Sequence, residues 1–327
     1  MKWTASNKAT VFLTILLLTA FCGSGPGGIP CARAYDLPAV NLGFTSFLDG
    51  GPPAGPGFYF TEYLQFYHAS KLAGPNGNEL LPPSAGENLN VFISLSQFIY
   101  QSNQDILLGG KWGLDFIVPI VAPNLSYSTP GPFPQSNGAG FGDLLVGPYL
   151  QWDPIMGPNG PIFMHRIELQ MLFPTGKYSS NDAVNPGSNF FSFDPYWAAT
   201  LFITPKWEFS TRLHYLWNAK NNDPNLVPGA DSTRAGQAVH LNFASSYEII
   251  DKMLSAGING YYLKQTTDMQ IDGQGAAGTK EQVLGIGPGL VFHLSQNTHF
   301  FLNIFFETAV EDRSQGQRYN LRWVQHF

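Results

Sequence analysis

Residues 207–218 read Trp-Glu-Phe-Ser-Thr-Arg-Leu-His-Tyr-Leu-Trp-Asn, and this stretch decides the fold. Taken two at a time, one face holds Trp207, Phe209, Thr211, Leu213, Tyr215 and Trp217. The other holds Glu208, Ser210, Arg212, His214, Leu216 and Asn218. A helix would scatter Glu208, Arg212 and His214 around an apolar surface, whereas a strand separates them cleanly. Trp207 and Trp217 share a face ten residues apart, which is ~33 Å at ~3.3 Å per residue. Tilted by ~40°, such a strand spans ~25 Å, the height of the apolar band between the aromatic girdles of a membrane barrel.

The same alternation runs from Ile106 to Ile120, with Lys111, Gly113 and Asp115 on the polar face. Similar runs lie near 57–69, 88–102, 138–152, 161–174, 190–204, 235–249, 252–266, 281–295, 297–308 and 316–327, twelve in all. The first has no clear phase, because both its faces carry aromatics and Glu62 lies among them. Short connections fall near Ser102–Gln104, at Thr204-Pro205-Lys206, near Ile250-Asp251 and at Ser295-Gln296, with a medium one near 153–160. Between them lie long Gly/Pro/Asn-rich segments at 70–87, 121–137, 175–189, 219–234, 267–280 and 309–315. Counted back from the C-terminus, every long segment falls on one side. Short turns at one end, long loops at the other and an even strand number are the rhythm of an outer-membrane barrel. The expected fold is all-β: a transmembrane up-and-down antiparallel β-barrel of about 12 strands. A secreted soluble β protein is the rival, but it does not explain the loop rhythm or the tryptophan spacing. The chain ends in Trp323 and a terminal Phe327, which resembles the assembly signal of outer-membrane barrels. Closure leaves no open strand edge, as hydrocarbon requires.

The N-terminus reads as a targeting segment. Lys2 and Lys8 precede an apolar run from Ala9 to Cys22, and Cys31-Ala32-Arg33-Ala34 supplies an A-x-A cleavage pattern. The expected organisation is a signal peptide over 1–34, a segment over 35–56, and a barrel over 57–327. Lipidation at Cys22 is the rival, though Phe21 is a poor residue before a lipid-bearing cysteine. Removing 1–34 takes away three cations and no acid, so the net charge moves from −6 to −9. It also removes both cysteines, which excludes a disulfide scaffold and cysteine-ligated metal. An acidic chain is a poor phosphate neutraliser, so nucleic acid is not an expected partner. Charged residues are 12% and aromatics 14%, a composition far too apolar for a disordered chain. No run after the leader approaches the ~18 apolar residues of a membrane helix. The segment 35–56, ending Gly50-Gly51-Pro52-Pro53-Ala54-Gly55-Pro56, favours irregular backbone. It is read as a periplasmic tail or a lumen plug, and the sequence does not choose.

With the apolar face toward lipid, the other face lines the lumen. The candidates are Lys111, Asp115, Asp143, Arg166, Glu168, Gln170, Glu208, Arg212, His214, His240, Glu248, Asn303, Glu307, Arg318, Asn320 and Arg322. They read as a structural ion-pair network or as a polar track for a solute. By the same count Phe92, Phe98, Tyr100, Tyr149, Tyr261, Phe301 and Phe305 point inside. Twelve strands also make a narrower barrel than a general porin, which suits small, partly hydrophobic molecules or a lumen simply filled by rings. Trp207, Tyr215, Trp217 and Trp323 are the expected interface girdle.

Enzyme motifs are weak. Gly138-Ala139-Gly140-Phe141-Gly142 precedes no helix, so a dinucleotide site fails. Phe173-Pro174-Thr175-Gly176-Lys177 lacks P-loop spacing, and no G-x-S-x-G occurs. The histidines are scattered with no H-x₃-H pair, so no metal and no cofactor are expected.

One further pattern covers roughly Gly140 to Leu294. It runs Gly140-Phe141-Gly142-Asp143-Leu144, Gly147-Pro148 and Trp152, then Phe173-Pro174-Thr175-Gly176-Lys177-Tyr178. Asn185-Pro186-Gly187-Ser188-Asn189 follows, then Phe193-Asp194-Pro195-Tyr196 and Trp207-Glu208. Asn218 with Asn221-Asn222, Ala235-Gly236-Gln237 with His240, Gly260-Tyr261-Tyr262, Gln265, Asp268 and Gly287-Pro288-Gly289 complete it. In order and spacing this resembles the transporter-like outer-membrane family named for the MetA pathway of phenol degradation. The loop after Asn222 departs from it, with Pro224, Pro228, Asp231 and Thr233 where members carry a Thr-x-Tyr/Phe-x-Ser-Gly pattern. The resemblance implies an outer-membrane barrel of a Gram-negative bacterium that passes aromatic or other hydrophobic compounds. The expectation is therefore a monomeric channel, not an enzyme. Its partners would be the lipid bilayer, the outer-membrane assembly machinery and small hydrophobic solutes. A non-conducting barrel with a surface-binding or structural role is the alternative.

Overall fold

The structure, a computed structural model, describes residues 37–327 except 39, 53, 82–85, 132, 226 and 228. The expected signal peptide with Cys22, the expected start at Tyr35, and Pro53 and Pro228 lie outside the described residues.

Twelve strands form one closed barrel. They are β1 (Gly57–Leu72), β2 (Glu87–Leu107), β3 (Gly110–Tyr127) and β4, in pieces Gly140–Phe141, Leu144–Gln151 and Ile155–Gly157. Next come β5 (Gly160–Glu168 and Met171–Phe173), β6 (Ser192–Phe193 and Tyr196–Thr204), β7 (Trp207–Asn218) and β8 (Ala238–Ile250). β9 (Leu254–Gln265), β10 (Gln282–His293), β11 (Thr298–Glu311) and β12 (Ser314–His326) complete the wall. Each pairs antiparallel with the next, and β12 returns to β1 from Tyr59 opposite His326 to Leu72 opposite Ser314. No edge is left open. No helix occurs among the described residues.

Burial follows the alternation that predicts the strands. In β7, Glu208, Ser210, Arg212, His214, Leu216 and Asn218 are buried, while Trp207, Phe209, Leu213 and Tyr215 are exposed. The apolar exterior is continuous around the wall, with Leu114, Phe116, Leu201, Ile258, Leu290, Leu302 and Tyr319 among its exposed side chains. Such a surface suits hydrocarbon, and the closed ladder pairs the backbone groups of neighbouring strands.

Three sequence expectations are corrected. The first short turn is at Leu108-Gly109, not near Ser102–Gln104: β2 runs on to Leu107 and β3 begins at Gly110. Both turn residues have positive φ, 51° and 74°. This is the geometry of a tight hairpin turn, usually signalled by Asn-Gly; a leucine in the first position hides it. The second correction concerns β2's phase. Phe92 and Phe98 are exposed, and Val91, Ile93 and Gln97 are buried instead. Tyr100 lies with the outer set, its ring against exposed Phe58 and against Trp112. Third, 309–315 is not a long loop, because β11 continues to Glu311 and β12 begins at Ser314. The other long connections pack on each other. Thr233–Arg234, Gln270–Ile271 and Gln274–Gly275 form a small external sheet, and Ser136 bridges Val184.

The described residues of 37–56 run inside the barrel. Their partners come from β1, β4, β6, β7, β8 and β12, so the wall surrounds them. Leu37, Val40 and Leu42 pack with Leu216, Leu263 and Val310 near the long-loop ends of their strands. Phe47 packs lower, with Tyr59, Val291, Phe301 and Val324. The segment leaves by the short-turn end, where the Tyr59 hydroxyl donates to the Gly55 carbonyl, and becomes β1.

Candidate functional site

The lumen is built from the inward half of every strand. Arginines come from β5, β7 and β12, and each lies flat on a ring. Arg166 stacks on Tyr149 at 4.0 Å, Arg212 on Tyr196 at 4.1 Å, Arg318 on Tyr67 at 4.1 Å and Arg322 on Phe301 at 3.5 Å. A guanidinium is planar and weakly hydrated, so a ring face shelters it well. The acids are held by hydroxyls and amides. Glu307 accepts from Tyr67 (2.9 Å), Tyr261 (2.7 Å) and Arg318 (3.2 Å). Glu208 accepts from Ser210 (2.5 Å) and Ser246 (2.7 Å), and Glu168 from Tyr196 (2.5 Å). Asp115 accepts from Gln97 at 2.6 Å, and Arg166 donates to Gln151 at 3.0 Å.

The segment 37–56 occupies the centre of this ring. Asp49 takes a bidentate pair from Arg212, at 2.7 and 2.8 Å, with both side chains buried. Asn242 accepts from the Gly43 amide at 2.9 Å and donates to the Asn41 carbonyl at 3.0 Å. Asn320 donates to the carbonyls of Gly43 and Phe44, and Arg322 to that of Phe47 at 3.4 Å. At Gly50 the amide donates to Thr200 at 2.8 Å while Gln151 donates to its carbonyl at 3.1 Å. A Cβ there would overlap the backbone of Thr200 and Met164, so only glycine lets the segment lie against the wall. The irregular backbone is thus satisfied by side chains of the barrel, as burial demands. Below the segment remains a cavity of about 90 Å³, bordered by Asp49, Tyr63, Arg166, His299, Phe301 and Arg322. That space is well below the ~300–1,000 Å³ of a ligand pocket.

The predicted lumen residues fall into two groups. Asp115, Arg166, Glu168, Glu208, Arg212, His214, His240, Tyr261, Phe301, Arg318 and Arg322 are buried inside. Gln170, Asn303, Glu307, Asn320, Tyr149 and Phe305 join them. Lys111 and Asp143 do not. Lys111 sits at the short-turn rim, 2.5 Å from exposed Asp153. Glu248 is at the same rim, 3.5 Å from Lys206. There Lys206 also hydrogen-bonds Asp251 at 3.0 Å, which holds that carboxyl below its ordinary range. Asp143 stands in the break of β4 and accepts from the Gly176 amide (2.9 Å), the Ser188 amide (2.8 Å) and the Ser188 hydroxyl. It ties the loop between β5 and β6 to the wall. Of the girdle set, Trp207, Tyr215 and Trp323 are exposed, while Trp217 is half-buried under Arg234. Phe327 is exposed, and its amide donates to the Phe58 carbonyl, so the C-terminus closes onto β1.

Sequence reasoning missed Asp49 and Asp194. Asp49 is the single charged residue in 37–56, and that solitude was its signal. Asp194 stands in the break of β6, where its carboxylate faces two imidazoles. It accepts from His214 Nδ1 and from His240 Nε2, each at 3.1 Å. The rings stack with centroids 4.1 Å apart, and all three side chains are fully buried. The far nitrogens, His214 Nε2 and His240 Nδ1, have no protein partner. Each such buried group costs about 1–3 kcal/mol. Among the described residues this is the one cluster with three side chains able to hold a metal ion. His214 and His240 face each other directly across β7 and β8, a proximity that linear spacing does not display.

The fold has a solved counterpart. The crystal structure of an outer membrane channel from Pseudomonas putida F1 superposes with a TM-score of 0.70 at 17% identity, over 88% of this chain and 100% of that one. The β domain of the Bordetella autotransporter BrkA is similar at a TM-score of 0.46 and 11% identity, over 83% and 100%. A TodX monoaromatic hydrocarbon channel is similar at 0.45 and 7%, over 88% and 96%. At those two scores the likeness carries no argument. No curated protein matches the sequence. The family described as "Putative MetA-pathway of phenol degradation" matches residues 69–323. That span takes in the wall from the long-loop end of β1 to Trp323, near the end of β12, and the chain belongs to this family.

Proposed function

We propose that the protein is an outer-membrane channel for passive uptake of small hydrophobic or aromatic compounds. The observation that carries this reading is how the lumen is filled. Wall side chains alone do not fill it; a separate stretch of about twenty residues does, joined to the wall covalently only at Gly57. A barrel made solely for structure needs no such room. Withdrawal of this plug opens a passage lined by Arg166, Arg212, Arg318 and Arg322 on their rings, with Tyr261 and Phe301. Rings offer apolar contact, and the paired charges supply polar groups that a neutral aromatic can follow without binding tightly. Family membership agrees with this class of solute. The protein works as a monomer, inserted by the outer-membrane assembly machinery, with no catalytic step.

The test is flux into lipid vesicles holding the purified protein, with phenol and toluene as solutes. Entry above protein-free vesicles, rising when Phe47→Ala or Asp49→Ala loosens the plug, is the expected result. Equal entry with and without protein for both the wild type and the loosened variants overturns the reading. The closeness of the plug's fit, which leaves only about 90 Å³ below it, favours a second reading, a non-conducting barrel with a structural or surface-binding role. Silence in planar bilayers from the loosened variants would select it.

A further inference from the structure

We propose that Asp194, His214 and His240 bind one divalent transition cation of the zinc class. The three residues come from three adjacent strands. His214 and His240 are direct cross-strand partners of β7 and β8, and Asp194 projects from the break in β6. Bonds of ~2.0–2.1 Å to a tetrahedral ion put neighbouring ligand atoms ~3.3 Å apart. The two nitrogen–oxygen separations here are both 3.1 Å, one to each oxygen of the carboxylate, and one donor atom from each of the three residues lies within 4.8 Å of the others, close enough for a small shift to gather them on one ion. The donor set selects the metal: two imidazoles suit zinc, cobalt, nickel or copper, whereas calcium and magnesium need a shell of oxygens.

The protons allow it. Each imidazole now directs one nitrogen at the carboxylate, and nothing in the protein holds the other. The proton on each near nitrogen can therefore move to the far one, leaving a lone pair for the cation and a neutral ring. The stacked rings are within 16° of parallel, so seating one ion requires them to tilt toward it. Two neutral imidazoles and one carboxylate leave a single positive charge and a fourth position open. Arg212, two residues from His214 on the same face of β7, is already matched by Asp49, so it does not compete for Asp194.

The site would clip the wall where its ladder is weakest. β6 is interrupted at Asp194-Pro195, and β5 is interrupted beside it at Leu169-Gln170. A cation there joins β6 to β7 and β8 independently of backbone bonds. Whether the lumen conducts has no bearing on this proposal.

The experiment uses the full protein, folded in detergent and freed of metal with a chelator, then titrated with Zn²⁺ and with Co²⁺. One equivalent of Zn²⁺ per chain is expected, with a raised melting temperature reversed by the chelator. Co²⁺ should give the visible absorption of a tetrahedral nitrogen–oxygen site. His240→Gln and Asp194→Asn should weaken Zn²⁺ binding at least tenfold. The control is His299→Gln, because His293 and His299 also approach each other, Nδ1 to Nδ1 at 2.7 Å; this variant should bind as the wild type does. Absence of stoichiometric Zn²⁺ and of any melting shift in the wild type overturns the proposal, even if no variant folds. Loss of binding in His299→Gln with retention in His240→Gln overturns it as well.

Discussion

Asp49 and Arg212 show how a charge survives in the middle of a membrane protein. The guanidinium lies on the Tyr196 ring and gives two parallel bonds to the carboxylate, both groups being buried. Removing one member of such a pair strands the other, at about 3–5 kcal/mol. Asp49→Ala should therefore lower the stability of the folded barrel by that order in a urea-refolding assay. The double variant Asp49→Leu/Arg212→Leu should recover much of the loss, because replacing both charges removes the stranded one. Residues of this kind were legible in the sequence only by half. Arg212 stands on a polar face of a clearly alternating strand, so its inward direction follows from period two. Its partner sits 163 residues away in an irregular segment, where no period exists. The same limit explains Asp194 with His214 and His240. A metal search by close spacing along a helix cannot see neighbours made by strand register.

At the scale of single elements, alternation gave the strand count and most phases, and failed where the alternation is not chemical. In β2 both sides are apolar: Phe92 and Phe98 outside, Val91 and Ile93 inside. Only packing against the neighbouring strands settles which side is which. The Leu108 turn is a second case, since nothing about leucine announces a positive φ. An L-residue with a branched side chain pays ~1–2 kcal/mol in that region, and asparagine pays less. Leu108 is 84% exposed, so Leu108→Asn sacrifices little packing and should stabilise the barrel by about 1 kcal/mol in the same refolding assay. On β7, Leu213 is an outward residue near mid-strand. Leu213→Arg should cost about 2–4 kcal/mol in lipid refolding, and Leu213→Phe almost nothing. Equal stability of those two variants would place Leu213 away from lipid.

For the whole molecule, the closed wall and the filled lumen act together. The plug leaves little slack: the cavity below it is about 90 Å³, room for a few waters and not for an aromatic ring with freedom to move. Conductance through the intact protein should therefore be small and steady, and Phe47→Ala should raise it in planar bilayers. Phe47 is fully buried, and Gly289 leaves the space its ring fills. The overall architecture was legible because a twelve-fold rhythm of turns and loops is written along the chain. The plug was not, because Gly, Pro and Asn at 37–56 state only that the backbone is irregular.

The plug also runs straight into β1, the strand that meets β12 to seal the barrel. The seam between the first and last strands thus lies beside the point where the segment turns inward. Sealing first would require Asp49 to be threaded afterwards into a finished tube, past a waiting Arg212. Sealing around a segment already in place requires no such passage. The N-terminal stretch then serves as a mandrel, a core on which the wall is wound and which stays inside when the winding ends. The order of events is measurable on a gel: Asp49→Ala should slow the appearance of the compact, heat-modifiable band as well as lower its final amount.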